Sequence, residues 1–227
     1  MPLPFVTIVM ATLDAAEYLS ESLASIAAQT YDHHELVVVD GGSTDGTCEI
    51  LAGFPRARVL RQQSTGFANA WNEGIAAARG DCIAFLDSDD RWRPQALAAH
   101  AERLASGADA SVGRMRFFLD PGRQPPPGFK PSLLEGDRVA FMPGCFAGWR
   151  RVFDTVGLFE TNWKIAADIV WFAKLRESGL LLETHDTLVL EKRVHDANLS
   201  YVTAQTPVYR RELLQLLRDS LDRRRAG

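Results

Sequence analysis

Cys82-Ile83-Ala84-Phe85-Leu86-Asp87-Ser88-Asp89 decides how the rest of the chain is read. An unbroken apolar run of this length fits a strand buried on both faces, the kind found in parallel sheets covered by helices. The run ends in two carboxylates two residues apart, with a third acid at Asp90. An Asp after a strand is commonly a turn residue or a helix cap. Three acids in four positions, however, repel one another unless a cation is present. Oxygen ligands so placed suit a hard divalent ion, which bridges carboxylates to phosphates.

A second strand repeats the pattern. Leu36-Val37-Val38-Val39 ends in Asp40 and runs into Gly41-Gly42-Ser43-Thr44-Asp45-Gly46. Ligands of open parallel sheets bind beyond the carboxyl ends of the strands, so two acid-tipped strands point to one cleft for a nucleotide and its metal. Glycine permits positive φ and lets a ligand approach the Gly41 backbone closely. The plainer reading is a tight connection with Ser43 or Asp45 capping the next helix, and both can hold. Gly41 and Gly46 have P-loop spacing, but Thr47 stands where the phosphate-binding lysine is required, and no GxGxxG occurs. P-loop and dinucleotide sites are therefore disfavoured.

Outward from these two strands, strand-like segments at 5–10, 36–39, 57–61 and 82–86 alternate with helical patterns near 17–28, 47–52, 68–78 and 94–105. This order predicts an α/β three-layer sandwich, a mostly parallel central sheet flanked by helices. The second half reads as a strand at 109–119, a Pro/Gly-rich loop at 120–136, a helix at 165–178 and a strand at 187–194. Residues 208–225 form an amphipathic pattern with a stripe of Leu213, Leu214, Leu217 and Leu221 and six arginines. That helix packs on its own domain or on a second subunit as a homodimer, or else lies on an anionic membrane surface.

The chain has 227 residues, enough for one such domain. Its net charge of −4 leaves no footprint for nucleic acid. Three cysteines without a CxxC pair argue against a disulfide framework or a zinc cage. Met1-Pro2-Leu3-Pro4 runs directly into a strand-like segment, and no window approaches a membrane span. The expectation is a cytoplasmic protein, either free or peripheral at the inner face of the membrane.

Other residues carry two readings each. Asp14 and Glu17 have capping-box spacing ahead of the first helix, with the Ala11-Thr12-Leu13 backbone beside them as a nucleotide contact. Gly66-Phe67-Ala68-Asn69-Ala70-Trp71-Asn72-Glu73-Gly74 opens a helix of small residues, which favours close packing over a ligand site. Asp168 sits among Ala166, Ala167, Ile169, Val170, Trp171 and Phe172, where an acid is costly unless paired or functional. It is either a helix-start acid favoured by the dipole or a general base. His195, after Lys192-Arg193-Val194, is a surface residue or completes the metal's coordination. Lys192 and Arg193 could equally neutralise phosphates.

Taken in order from Thr7 to about Tyr201, these segments resemble the family-2 nucleotide-sugar glycosyltransferases, which have a GT-A fold. The resemblance implies a domain over 1–204, with a donor half of about 1–106 and an acceptor half of about 107–204, followed by a C-terminal helix at 205–227. It implies that Asp40 holds the base and Thr12 lines the nucleoside pocket, with Asp14, Gly41, Gly66 and Asn72 beside the donor. Asp87-Ser88-Asp89 becomes the DxD motif, with Asp89 the direct ligand of Mn²⁺ or Mg²⁺ and Asp87 nearer the ribose or metal. Asp168 falls where the catalytic base is expected, and His195 joins the metal or diphosphate. The chain departs from the family in having Ala11 and Asp14 in place of Pro and Asn, Ala167 in place of Glu before the base, and Val170 in place of a second acid.

The implied activity is an inverting, metal-dependent transfer of a sugar from a nucleotide-diphosphate donor, UDP-sugar favoured, to an acceptor hydroxyl. A sugar nucleotidyltransferase would release pyrophosphate instead, and no basic triphosphate clamp is evident for it. A non-catalytic nucleotide-sugar-binding module would agree with Val170 but not with the intact acids.

Overall fold

The computed structural model describes residues 2–198 together with Thr206, Val208, Arg211, Glu212, Leu214, Gln215 and Arg218. β1 (Val6–Thr12) lies between β2 (His34–Asp40) and β4 (Cys82–Phe85), both parallel to it, and β3 (Ala57–Arg61) adds in parallel outside β2. Thr12 pairs with Asp40 and Val9 with Phe85. That register sets Asp40 and the Asp87 turn at the same edge of the sheet. β1 and β4 are buried along their whole length and β2 from Leu36 onward, whereas β3 at the sheet edge is half-buried to exposed; α1 (Leu19–Ala27), α2 (Thr47–Ala52), α3 (Phe67–Ala77) and α4 (Ala96–Ala105) lie in the connections between strands.

The parallel order stops at β4. β8 (Phe146–Trp149) inserts antiparallel between β4 and β6 (Ala110–Phe118), and β9 (Leu182–Arg193) runs parallel to β6. Two-residue strands complete the edge, β5 (Arg91–Trp92) on β9 and β7 (Arg138–Val139) on β6. Among the described residues nine strands thus form one sheet in the order β3-β2-β1-β4-β8-β6-β9-β5, with β7 beside β6. β8 and the short α5 (Arg150–Val156) that follows it are not among the elements expected from sequence.

α6 (Ala167–Glu177) is seated by aromatic packing. Trp171 stacks on Phe153 at 5.1 Å, meets Phe146 edge-on at 5.3 Å, and donates its indole N–H to the Gly157 carbonyl at 2.8 Å. Buried aromatic pairs of this geometry add to area burial, and they fix where the first turn of α6, with Asp168, points. On the same side of the sheet, where Phe159 lies against both Trp71 and Trp171, a Cβ on Gly74 would lie 2.3 Å from Val9 Cγ1. The small residues of α3 therefore serve close approach to β1, as the packing reading expects.

One expectation is corrected. Asp14 does not cap α1, which begins at Leu19 with no side-chain cap. The Ala15 and Ala16 N–H groups are taken by Thr47 Oγ1 and Asp45 Oδ2, while Asp14 itself adopts φ 47° and accepts from the Thr44 N–H at 2.7 Å. Glu17 pairs with Arg123 at 2.8 Å. The loops after β1 and β2 are thereby locked together, and the helix starts only after that lock.

A buried polar cluster lies away from the acidic edge. His100 Nδ1 is 3.0 Å from Ser111 Oγ and 3.5 Å from His185 Nε2. Burial holds the His100 imidazole down to about 3, with His185 adding to the effect. A His whose folded pKa is depressed contributes stability that is present above its unfolded pKa, about 6.5, and lost as pH falls toward the folded value. The loss between pH 7 and pH 4 is on the order of 3 kcal/mol for this one group. Urea melts at pH 7, 5.5 and 4 are expected to show a flatter pH dependence for His100→Leu than for the wild type. Identical slopes would show that His100 does not titrate in this way.

No helix among the described residues is long and apolar enough to cross a membrane. Leu199 and Ser200 of the late motif, the expected boundary at 204, and Leu213, Leu217 and Leu221 of the leucine stripe lie outside the described residues. Leu214 is exposed, and Glu212 accepts from the Lys164, Ile165 and Ala166 N–H groups at 2.8–3.1 Å, just ahead of α6.

Candidate active site

The acid-tipped edge of the sheet opens into a cleft of about 360 Å³. Its wall brings together Asp14, Asp87, Ser88, Asp89, Asp168 and His195 from four separate parts of the sequence, with Lys192, Asn198, Tyr18, Phe67, Trp71, Met142, Pro143 and Ile165 between them. Thr12, Asp40, Gly41, Gly66 and Asn72 lie outside that wall. Asp40 is buried, and its oxygens accept from the Gly42 and Ser43 N–H groups at 3.0–3.3 Å and from Ser43 Oγ at 2.5 Å. Gly41 donates its N–H to the Thr12 carbonyl at 2.8 Å, and the Thr12 hydroxyl is buried with no hydrogen-bond partner among the described residues. Gly66 opens α3 at φ 102°, a conformation that favours glycine. Asn72 acts as a splice between elements: its amide donates to the Phe159 carbonyl at 2.8 Å and accepts from the Phe159 N–H at 3.0 Å.

The Asp87-Ser88-Asp89-Asp90 turn is held from three sides. Asp89 Oδ2 lies 3.1 Å from His195 Nε2 and accepts from the Asn198 amide at 3.3 Å. The Tyr18 ring packs on the His195 imidazole at 4.6 Å. Asp90 is fully buried; Oδ2 meets Lys192 Nζ at 3.0 Å and Oδ1 accepts the Arg193 N–H at 2.8 Å. Arg193 Nε donates to the Asp89 carbonyl at 2.9 Å.

Electrostatics separate the three acids. Burial pushes Asp90 up to about 7 despite Lys192, and burial also raises Asp87 against the same ammonium. Burial works on Asp89 too, but the hydrogen bond from His195 and the charge of Lys192 outweigh it and hold Asp89 below the usual carboxylate range. Lys192 keeps its proton, because the three surrounding carboxylates outweigh its desolvation.

The donor set fits a divalent cation. One oxygen from each of Asp87, Asp89 and Asp90 can be chosen so that all lie within 4.8 Å of one another. Three carboxylates against one nearby ammonium leave an excess of negative charge, and hard oxygen ligands with one imidazole suit Mg²⁺ or Mn²⁺. Asp89 and His195 are the members placed to hold such an ion, with Asp87 alongside.

Asp168 stands apart from this cluster in the same cleft. It lies in the first turn of α6, accepts the Ile169 N–H at 2.8 Å on Oδ1, and has no salt bridge among the described residues. Burial raises its pKa to about 6. It is thus a carboxylate that is ionised at neutral pH yet basic enough to take a proton.

The model of the family described as "Glycosyl transferase family 2" matches residues 7–180. The chain belongs to glycosyl transferase family 2. Among curated relatives, this family-2 chain is 39% identical over 124 residues to the succinoglycan biosynthesis protein ExoO of Rhizobium meliloti, covering 53% of the chain and 36% of that relative. The matches to two other relatives cover 30% and 41% of their lengths. The chain therefore spans well under two thirds of these relatives. Among solved structures, S. aureus TarS 1–349 in complex with UDP-GlcNAc superposes with a TM-score of 0.72 at 19% identity, covering 88% of this chain and 61% of that one. The mannosyltransferase PcManGT from Pyrobaculum calidifontis, in complex with GDP-Man and Mn²⁺, gives a TM-score of 0.64 at 23% identity, covering 86% and 58%. These likenesses establish the GT-A fold for the family-2 chain.

Sequence reasoning did not single out Asn198 as a partner of Asp89, nor Tyr18 as the platform under His195. It weighed Lys192 and Arg193 only as phosphate neutralisers. Their partners lie up to 172 residues away in sequence, and no local spacing signals such pairs.

Proposed function

We propose that the chain is an inverting, metal-dependent glycosyltransferase that moves a sugar from a nucleotide-diphosphate donor to an acceptor hydroxyl. The observation that carries this reading is one cleft with two kinds of carboxylate: Asp89, tied to His195 and Asn198, and Asp168, free of any ion pair among the described residues. A divalent ion bound at Asp89 and His195 would supply neutralisation of the leaving diphosphate. Asp168 takes the proton of the acceptor hydroxyl as that oxygen bonds to the anomeric carbon and the bond from that carbon to the diphosphate breaks. A single base suits a single displacement, so the configuration inverts. Thr12, with its unpartnered hydroxyl, and the locked loops holding Asp14, Asp40 and Gly41 would receive the nucleoside, with Gly66 and Asn72 shaping the helix beside it.

The donors named with TarS and PcManGT, UDP-GlcNAc and GDP-Man, support a nucleotide-sugar donor. UDP-sugar is the first choice from the resemblance. The relative ExoO, named for succinoglycan biosynthesis, supports a glycan acceptor, which would enter past Met142, Pro143 and Ile165.

Calorimetric titration of UDP and of GDP, with Mn²⁺ and then with EDTA, tests the donor site. Metal-dependent binding of one of them is expected, and Asp89→Ala is expected to weaken it at least about tenfold. Unchanged affinity in that variant would remove Asp89 from the metal site. No binding of either nucleotide would remove the donor site itself.

A further inference from the structure

The Asp87–Asp90 turn already contains a cation of the protein's own. Lys192, near the end of β9, reaches in from the strand that also supplies Arg193 and leads to His195. Its side chain is only 13% exposed, and Nζ lies 3.0 Å from Asp90 Oδ2 and 3.6 Å from Asp87 Oδ2. Asp90 is the least available of the three acids to an ion, since one oxygen faces the ammonium, the other accepts the Arg193 N–H and the residue has no exposed surface. Asp87 has one oxygen facing the ammonium. Asp89 is the acid whose side chain faces His195 and Asn198 rather than Lys192. An ammonium at this place lowers the negative potential that would attract a divalent ion, and it does so from within a poorly solvated site where screening is weak.

We propose that Lys192 is a tethered counter-cation that competes with the divalent ion for the acidic cluster, so that metal binds weakly to the free chain and binds well only together with a nucleoside diphosphate. This rests on the metal-site reading above and adds to it an order of events. With Lys192 in place, Asp87, Asp89, Asp90 and the ammonium carry a formal charge of about −2 when all three acids are ionised, instead of about −3. The diphosphate of an incoming nucleotide restores the missing negative charge and also supplies oxygen ligands. Metal and nucleotide then bind with positive coupling, each raising the affinity of the other by the same factor. Lys192 acts here as a positioning residue, through the ion and not on the reacting atoms.

The test is Mn²⁺ binding read by the free-ion electron paramagnetic resonance signal, with and without UDP or GDP. Three chains are compared: wild type, Lys192→Met and Lys192→Arg. The wild type is expected to bind Mn²⁺ at least tenfold more tightly with nucleotide than without it. In Lys192→Met the nucleotide-free affinity is expected to rise at least tenfold and the coupling to shrink. Lys192→Arg, which keeps the charge, is expected to stay near the wild type. Folded Lys192→Met that binds nucleotide-free Mn²⁺ no more tightly than the wild type overturns the proposal, even if the wild type shows metal-dependent nucleotide binding. Mn²⁺ binding to none of the chains, with or without nucleotide, overturns both this proposal and the metal site beneath it. Removing the ammonium leaves buried carboxylates facing one another, so Lys192→Met could fail to fold in the absence of metal. In that event the competition predicts that millimolar Mn²⁺ restores the far-ultraviolet circular dichroism of the folded chain, and a chain that stays unfolded in Mn²⁺ counts against the proposal.

Discussion

Asp168→Asn is expected to lower sugar transfer by about 10³-fold, within the range of about 10²–10⁴ that general bases contribute, while nucleotide affinity stays within about threefold of the wild type. The substitution keeps the size and the hydrogen bond from the Ile169 N–H and removes only the capacity to take a proton. Nothing in the seating of α6 depends on the charge, since Trp171 and Phe172 anchor the helix from the next turn. The same residue sets the pH profile. Burial raises Asp168 to about 6. The base form is therefore nearly complete at pH 7, and kcat/KM should fall about tenfold per unit as pH drops well below 6. The Asn variant's residual rate should lose that inflection. Transfer at a rate near the wild type, or an unchanged inflection near pH 6, would take the role away from Asp168 and return it to a helix-start acid.

What the sequence made legible follows from periodicity and from strand ends. β1, β2 and β4 contain short apolar runs and β3 is a short strand-like segment, all separated by helical patterns, and their parallel order and the shared edge for Asp40 and Asp87 emerge as expected. β8 was not legible for a physical reason. Phe146-Ala147-Gly148-Trp149 is four residues long, is buried along most of its length and contains a glycine whose Cβ would meet Phe146 Cζ at 2.6 Å. It carries neither alternation nor length to mark it as a strand. Only the edges of β4 and β6, far apart in sequence, make it one. Asp14 and Glu17 misled in the opposite direction. Their spacing imitates a capping box, but side chains from the loop after β2 reach the Ala15 and Ala16 N–H groups first. In the cleft, Asp87, Asp89, Asp168 and His195 were readable as residue types at strand and helix ends. The pairing of Lys192 with Asp90, and of Asn198 with Asp89, depends on tertiary approach across about a hundred residues.

Arg193→Met is expected to cost about 3 kcal/mol of stability, toward the low end of what breaking a buried ion pair costs, and to weaken metal-dependent nucleotide binding as well. The Arg193 guanidinium is 2% exposed and forms ion pairs with Glu21 on α1 and with Asp120 after β6. It also lies over the rings of Tyr18 at 4.6 Å and Phe118 at 4.7 Å. Methionine fills much of the volume but leaves Asp120 without its cation and the Asp89 carbonyl without the Nε donor. Glu21 is more than half exposed and can hydrate, which is why the cost sits below the full penalty for a buried pair. A domain of this kind has about 5–15 kcal/mol in all, so the shift in a urea melt should be plain. Lysine should rescue little, because a single ammonium cannot serve Glu21, Asp120 and a carbonyl in the fixed directions of a guanidinium fork. The functional half follows from the same contacts. Arg193 holds the backbone of Asp89, and Tyr18, on which it stacks, packs in turn on His195. Loosening it frees both members placed to hold the ion. A variant that melts within about 0.5 kcal/mol of the wild type, the ordinary range for surface substitutions, would mean that Glu21, Asp120 and Asp89 find other partners and that β9 positions the cleft without its arginine.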